Sequence, residues 1–181
     1  MKTESTVKFV LRLALTLLAI TAVVAVALAG VNMITEPAIE ALNAQKTQEA
    51  IELVLPGGGE AIEFPETDLV SKVYASDAGY AVEVTPGGFD NTITMMVGVD
   101  TEGKVMGISI ISHTETAGLG AVAAAGTPAG EAFRAEFVGA SGSVAVTKDG
   151  GEVEAITGAT ITSRAICAGV NAALEVVGKM G

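Results

Sequence analysis

The sequence predicts an α+β fold, in which one N-terminal transmembrane helix precedes a domain with an antiparallel sheet and packed helices. Three observations predict it. Residues 13–35 contain no charged side chain. Four short runs rich in β-branched residues follow and are joined by short polar turns, which is typical of an antiparallel meander. The chain then closes with a stretch whose apolar residues recur at helical spacing.

The uncharged segment is long enough to cross a bilayer. Its 23 residues would reach roughly 35 Å at about 1.5 Å per residue, against a hydrocarbon core of about 30 Å. Lys2, Lys8 and Arg12 precede the segment, and the first basic residue beyond it is Lys46. The positive-inside tendency therefore predicts a single-pass protein of the cell membrane, with a cytoplasmic N-terminus and the remainder outside.

A cleaved signal peptide is the alternative for this segment. The small residues at 27–30, Ala-Leu-Ala-Gly, look like a cleavage site. The apolar stretch is longer than the usual core of about 7–15 residues in a signal peptide, which favours a retained anchor. Under both interpretations, residues 36–181 lie outside the cytoplasm.

The chain is therefore expected to have four segments. A helix should begin at Glu36-Pro37, because proline suits the first helical turn and glutamate suits the positive end of the helix dipole. Pro56 and the glycines after it should end that helix. The expected segments are a cytoplasmic N-terminus (1–12), a transmembrane helix (13–35), a connecting helix with a Gly-rich turn (36–59) and an extracytoplasmic domain (60–181).

Inside that domain, turn residues separate the predicted elements. Residues 60–68 are predicted to be irregular. The predicted strands are 69–75, 80–85, 92–99 and 104–112, with a further short strand at 143–146. The predicted helices are 128–138 and 161–178, and the second carries an apolar stripe that faces the core.

Composition excludes several classes of function. The part after residue 35 has 7 Lys+Arg and 20 Asp+Glu, a formal charge of -13, which makes a nucleic-acid partner unfavourable. A single cysteine, Cys167, excludes an intrachain disulfide framework and a cysteine-held iron–sulfur cluster. A single histidine, His113, excludes a multi-histidine zinc or haem site.

The first candidate site is the segment 154–164, Glu-Ala-Ile-Thr-Gly-Ala-Thr-Ile-Thr-Ser-Arg. It places four hydroxyl groups just before a predicted helix, whose unpaired N–H groups and positive dipole suit a phosphate. Arg164 adds a nearby cation. Threonine and serine are also common helix caps that need no ligand, so the pattern alone leaves both interpretations open.

The second candidate is the segment 112–120, Ser-His-Thr-Glu-Thr-Ala-Gly-Leu-Gly, at the end of a predicted strand. Its glycines superficially match a dinucleotide fingerprint, but that fingerprint needs a parallel βαβ setting and the strands here are predicted to be antiparallel. His113 and Glu115 are consistent with a hydrogen-bonded strand end. An acid–base pair is conceivable, although no nucleophile lies beside it.

Together the two segments resemble a known family. The chain resembles the G subunit of the Rnf-type ion-translocating electron transport complex, and its C-terminal domain is similar to the FMN-binding domain in the C subunit of the Na⁺-translocating NADH:quinone reductase. Residues 157–163, Thr-Gly-Ala-Thr-Ile-Thr-Ser, match the family's flavinylation motif [S/T]-G-A-T-x-T-S. Residues 113–120 match its His-x-Glu-Thr-Pro-Gly-Leu-Gly motif, with Ala117 where the family has proline.

The resemblance implies an electron-carrying flavoprotein subunit that is not catalytic alone. It implies FMN joined covalently, by a phosphoester, to Thr160, with attachment made by a separate flavin transferase that uses FAD and a divalent metal. Glu154 stands where the family's signature has aspartate, which lengthens that side chain by one methylene. The other cofactor-binding residues that it implies are Thr157, Gly158, Ala159, Thr162, Ser163, Arg164, His113, Glu115, Thr116, Gly118, Leu119 and Gly120.

The same resemblance implies the partners. They are the A, B, C, D and E subunits of the complex and the surrounding membrane lipid. The complex would move electrons between ferredoxin and NAD⁺ and couple this to Na⁺ or H⁺ translocation. Because segment 13–35 holds no ionisable residue, the ion path is expected in other subunits. The alternative function is a membrane-anchored extracytoplasmic module that binds a small anionic ligand reversibly.

Overall fold

The computed structural model describes residues 2–65 and 67–180, and it confirms the α+β fold. Two short 3₁₀ helices, Gly120–Ala124 and Thr147–Asp149, lie in the connections. Two compact units divide the chain, residues 1–44 and residues 45–181. The helices and strands are α1 (Lys2–Val54), β1 (Glu60–Ile62), β2 (Val70–Ser76), β3 (Gly79–Val84), β4 (Thr94–Asp100), β5 (Val105–Ser112), α2 (Pro128–Ala135) and α3 (Thr160–Met180).

The N-terminal unit is helical and highly apolar. Within the described residues, α1 is the one helix that is long and apolar enough to span a membrane, as judged by length and composition. Its large apolar side chains are exposed, for example Leu17 and Val26. The hydroxyls of Thr16 and Thr21 donate to carbonyls of the preceding turn at 2.9–3.0 Å, so these polar groups are satisfied within the helix.

The expectation that a separate helix begins at Glu36-Pro37 is wrong. Pro37 lies inside α1, which continues without a break to Val54. Proline at this point removes one hydrogen bond, the one to the carbonyl of Met33, and the alanine, glutamate, leucine and glutamine residues around it are good helix formers. The helix ends as expected before Pro56 and the glycines.

The five strands form one antiparallel sheet in the order β1-β2-β3-β4-β5. The four longer strands lie within two residues of their predicted bounds. The sequence missed β1, three exposed residues that pair with β2 inside the segment predicted to be irregular. The strand predicted at 143–146 is absent, and Val146 instead makes an isolated bridge with Val153.

Both faces of the sheet are covered, which explains why β4 is almost continuously buried. On one face, Met95 and Val97 of β4 pack in the main core with Ile166 and Val170 of α3. On the other face, Met96 belongs to a smaller core built from the end of α1. That core contains Ala50, Ile51, Val54, Leu55, Ala81 and Met96.

The end of α1 approaches β4 closely at Gly98. A Cβ atom on Gly98 would overlap the carbonyl oxygen of Val54. Gly98 pairs across the sheet with Gly107 of β5, where a Cβ atom would meet nothing within 4 Å. The glycine in β4 is therefore required by helix packing, whereas the glycine opposite it is not.

Candidate functional site

A cavity of about 290 Å³ lies at the start of α3 and brings the two predicted segments together. Its volume is close to the lower end of the range for small-molecule sites, about 300–1,000 Å³. Eight of the predicted site residues line it: Glu115, Thr116, Leu119, Gly120, Gly158, Ala159, Thr160 and Thr162. The two segments are distant in the sequence, and the fold brings them together at the cavity. Glu115 and Thr162, for example, are 47 positions apart and form a hydrogen bond.

The start of α3 leaves backbone donors free at this cavity. Ala159 precedes the helix, and its carbonyl accepts the first helical hydrogen bond, from the N–H of Ser163 at 3.0 Å. Alanine has no side-chain oxygen with which to cap the helix. No acceptor within the described part of the chain contacts the N–H groups of Thr160, Ile161 or Thr162. These three donors and the helix dipole suit an anionic oxygen.

Ser163 fixes the turn that leads into the helix. Its hydroxyl donates to the carbonyl of Ala159 at 3.0 Å and accepts from the N–H of Ile156 at 3.0 Å. Ser163 is fully buried and does not line the cavity. It therefore shapes the segment around Thr160 from inside the fold.

The cation beside Thr160 is Lys148. Its ammonium group donates to the Thr160 hydroxyl at 3.3 Å and lines the cavity. Arg164, the cation that the sequence suggested, instead makes two hydrogen bonds of 2.6 Å to the Asp149 carboxylate. That guanidinium lowers the pKa of Asp149, and the carboxylate in turn raises the pKa of Arg164.

Five predicted site residues do not line the cavity: Thr157, Ser163, Arg164, His113 and Gly118. His113 lines a different cavity of about 490 Å³, beside the end of α1. Its Nδ1 atom is buried and has no hydrogen-bond partner among the described residues. Strand β5 ends at Ser112, so His113 and Glu115 both lie in the loop after it, where their side chains line different cavities.

Sequence reasoning missed three lining residues: Phe89, Lys148 and Ile161, the last of which it had noted only as a position in the motif at 157–163. Phe89 comes from the turn between β3 and β4, and the residue is 66% exposed. Nothing in its local pattern marks it. Lys148 could have been found from the sequence as a candidate cation for the site. The only lysine or arginine residues between 105 and 178 are Arg134, Lys148 and Arg164. Arg134 is committed to the carbonyls of Ala123 and Ala125.

A larger cavity of about 530 Å³ lies at the other end of α3. Its walls include Tyr80, Asn171 and Glu175, and none of the predicted site residues lines it. Most of the predicted site residues therefore lie at the cavity of about 290 Å³ at the start of α3.

Comparison with known proteins identifies the type of domain that contains this cavity. Residues 88–175 match the family model of the FMN-binding domain. That range contains every residue that lines the cavity. The match therefore supports FMN as the ligand of this domain.

Three curated relatives match most of the chain. The G subunit of the Na⁺-translocating ferredoxin:NAD⁺ oxidoreductase complex of Acetobacterium woodii is 33% identical over 93% of this chain and 92% of its own length. Its counterpart in the proton-translocating complex of Clostridium ljungdahlii is 32% identical over 83% and 82%. The G subunit of the ion-translocating oxidoreductase complex of Methanosarcina acetivorans is 30% identical over 94% and 95%.

Proposed function

This chain belongs to the family of G subunits of ion-translocating oxidoreductase complexes, and on that basis we propose that it carries electrons through FMN attached covalently to Thr160. The attachment is a phosphoester between the flavin phosphate and the threonine hydroxyl. The observation that carries the proposal is the position of Thr160 as the first residue of α3, in a cavity within the FMN-binding domain.

The residues around Thr160 fit a phosphate. The free N–H groups of the first turn of α3 supply hydrogen bonds, and the helix dipole supplies positive potential. The Lys148 ammonium, 3.3 Å from the Thr160 hydroxyl, adds a full positive charge. In a domain with an excess of carboxylates, this is a local environment in which an anion is favoured.

Part of the cavity wall is apolar. Phe89, Leu119 and Ile161 line the cavity and are all large exposed hydrophobic side chains. Such side chains suit the flat aromatic ring system of a flavin. When bound, FMN supplies transfer of electrons one at a time, while the protein supplies position and electrostatic tuning.

Attachment at Thr160 would be a transfer of the FMN phosphoryl group from FAD to the threonine hydroxyl. A flavin transferase with a divalent metal would break the bond between the two phosphates of FAD. The FMN phosphoryl group joins the Thr160 oxygen, the hydroxyl proton is lost, and AMP leaves. Thr160 is half-buried, so its hydroxyl is partly open to such an enzyme.

The wider role follows from the family. The chain would work with the A, B, C, D and E subunits, passing electrons within a complex that couples ferredoxin and NAD⁺ to ion translocation. α1 would hold it in the cell membrane among lipids, with the N-terminus in the cytoplasm and the FMN-binding domain outside. The ion path would lie in other subunits, because segment 13–35 has no ionisable residue. The names of the relatives give either Na⁺ or protons as the coupling ion.

Mass spectrometry of the native protein tests the proposal. The peptide that contains Thr160 should carry one FMN phosphate adduct, Thr160→Ala should lack it, and Thr157→Ala should keep it. Denaturation should leave the flavin on the wild-type chain. Release of a ligand on denaturation would support the reversible binding module instead, and flavin on Thr157 or Thr162 would contradict the assignment.

A further inference from the structure

The Glu115 carboxylate is one of the few charged or polar side chains in the buried part of the domain, with 7% of the residue exposed. It accepts a hydrogen bond of 2.8 Å from the N–H of Phe89 and a longer one of 3.5 Å from the N–H of Asp90. The Thr162 hydroxyl donates to its other oxygen at 2.5 Å. The two N–H groups and the hydroxyl all act as hydrogen-bond donors to the carboxylate. This suits an ionised carboxylate, which can only accept hydrogen bonds.

These bonds join three separate segments of the chain. Glu115 belongs to the loop after β5, Phe89 to the turn between β3 and β4, and Thr162 to the first turn of α3. The packing is close, since a Cβ atom on Gly120 would overlap both the Glu115 carboxylate and the Thr162 hydroxyl. Each of the three segments contributes a wall of the cavity.

We propose that Glu115 is a positioning residue for the flavin site: through Thr162 it ties the loop after β5 to the start of α3, and it holds a fixed negative charge against the cavity. This inference rests on the proposed function of the same cavity. It gives Glu115 a role different from that of a direct flavin ligand, because both carboxylate oxygens already bind donors of this chain.

The two threonines Thr160 and Thr162 of the motif have different roles. Residues two apart on a helix point to opposite sides, about 200° apart. Thr160 faces Lys148, whereas Thr162 is 2% exposed and faces Glu115. The hydroxyl of Thr162 is therefore used within the fold, and the hydroxyl of Thr160 remains for attachment.

The charge of Glu115 has a second consequence. A negative charge beside the cavity disfavours the addition of electrons to a bound redox group, and the low polarity of a buried position strengthens this effect. Glu115 should therefore lower the midpoint potential of the flavin. Glu115→Gln retains an oxygen that can accept from Phe89 and an NH₂ group that can donate to the Thr162 hydroxyl, so it removes the charge but keeps the connections.

The test uses the full-length protein, coexpressed with a flavin transferase and purified in detergent. Flavin content is measured on the denatured chain, and the midpoint potential by redox titration. The flavin that Glu115→Gln carries should have a more positive midpoint potential, by about 30 mV for each tenfold change in a two-electron equilibrium. Glu131→Gln, which removes an exposed charge on α2 away from the cavity, should leave the potential unchanged.

The connection to α3 is tested with Thr162. Thr162→Val removes the donor and should reduce flavin content at least severalfold, and Thr162→Ser should restore it. Full flavin content in Thr162→Val, or a potential in Glu115→Gln equal to that of the wild type, would overturn the inference. Absence of covalent flavin from the wild-type chain would instead refute the proposed function, so the two failures are distinguishable.

Discussion

Lys148 and Thr160 meet across 3.3 Å, although 12 residues separate them in the sequence. The 3₁₀ helix Thr147–Asp149 brings the ammonium group to the first residue of α3. The next residue, Asp149, holds Arg164 in a surface ion pair. Two neighbouring residues of one short helix thus decide which of the two nearby cations faces the cavity.

Replacing Lys148 should therefore weaken flavin attachment more than replacing Arg164. A hydrogen bond to a charged group contributes about 1.5–3 kcal/mol, so Lys148→Met should slow flavinylation by roughly tenfold or more. Lys148→Arg should retain much of the rate because it keeps the positive charge. The rate is followed by in-gel flavin fluorescence over time after addition of FAD and a transferase.

Arg164→Met is the matched control for Lys148→Met. It removes a cation of the same charge from the same region, but this cation is bound to Asp149. We expect flavinylation at close to the wild-type rate. Equal losses in the two variants would show that net charge alone, and not the contact with Thr160, determines the rate.

Gly98 and Gly107 provide a second matched pair, this time for the fold. Gly98→Ala would force the end of α1 away from β4, since the new methyl group overlaps the Val54 carbonyl. We expect a loss of about 3 kcal/mol in the free energy of unfolding, at the upper end for overpacking. Gly107→Ala should be neutral or stabilise by about 0.5–1 kcal/mol, because alanine reduces the entropy of the unfolded chain.

Thermal unfolding followed by circular dichroism measures both variants of this pair. The contrast depends on the packing of α1 against the sheet, because the two glycines face each other on adjacent strands. Similar stabilities in Gly98→Ala and Gly107→Ala would contradict that packing.

Cys167 should make the free energy of unfolding depend on pH in the alkaline range. Burial, followed by the charge of Asp149, raises the pKa of its thiol from 9.0 to about 11. Between these values the unfolded chain loses the thiol proton while the folded chain keeps it. The unfolded state then binds fewer protons, so the free energy of unfolding falls as the pH rises from about 9 to about 11.

Urea unfolding at several pH values between 8 and 11 tests this dependence. Cys167→Ala should show a shallower fall in stability over that range, since the component due to the thiol is absent. Iodoacetamide should also react slowly with the native thiol at pH 8 and rapidly after unfolding. Identical pH slopes for the wild type and Cys167→Ala would contradict the raised pKa.

Local sequence pattern was sufficient for most elements of the fold. The strands of the meander and the helix α3 have strong local signals, namely β-branched runs between turn residues and an apolar stripe at helical spacing. The elements that were missed depend on distant partners. β1 is an exposed three-residue strand defined by pairing with β2, and residues 143–146 lack a sheet neighbour.

The same distinction applies to the candidate site. The motif at 157–163 indicated Thr160 because the signal is local and lies at a helix start. Lys148 and Phe89 reach the cavity through contacts across 12 or more residues. Local pattern also could not show that Asp149 binds Arg164, or that His113 lines the cavity beside α1.

The start of the FMN-binding domain can be tested by truncation. The sequence predicts that this domain spans residues 60–181, with residues 36–59 as a connection. Ala50, Ile51, Val54 and Leu55 are each at most 4% exposed and form a core with β3 and β4. Burying side chains of this size contributes about 1.5–3 kcal/mol for each large one, so their removal should be severely destabilising.

A chain that starts at residue 45 should therefore be soluble, cooperatively folded and competent for flavin attachment. A chain that starts at residue 60 should lose the cover of one face of the sheet, expose Met96 and Ala81, and aggregate or unfold at much lower temperature. Expression of the two truncations in parallel, with size-exclusion chromatography and flavin content as readouts, separates the outcomes. If the shorter chain were as soluble and as fully flavinylated as the longer one, the end of α1 would be a linker and not part of the folded domain.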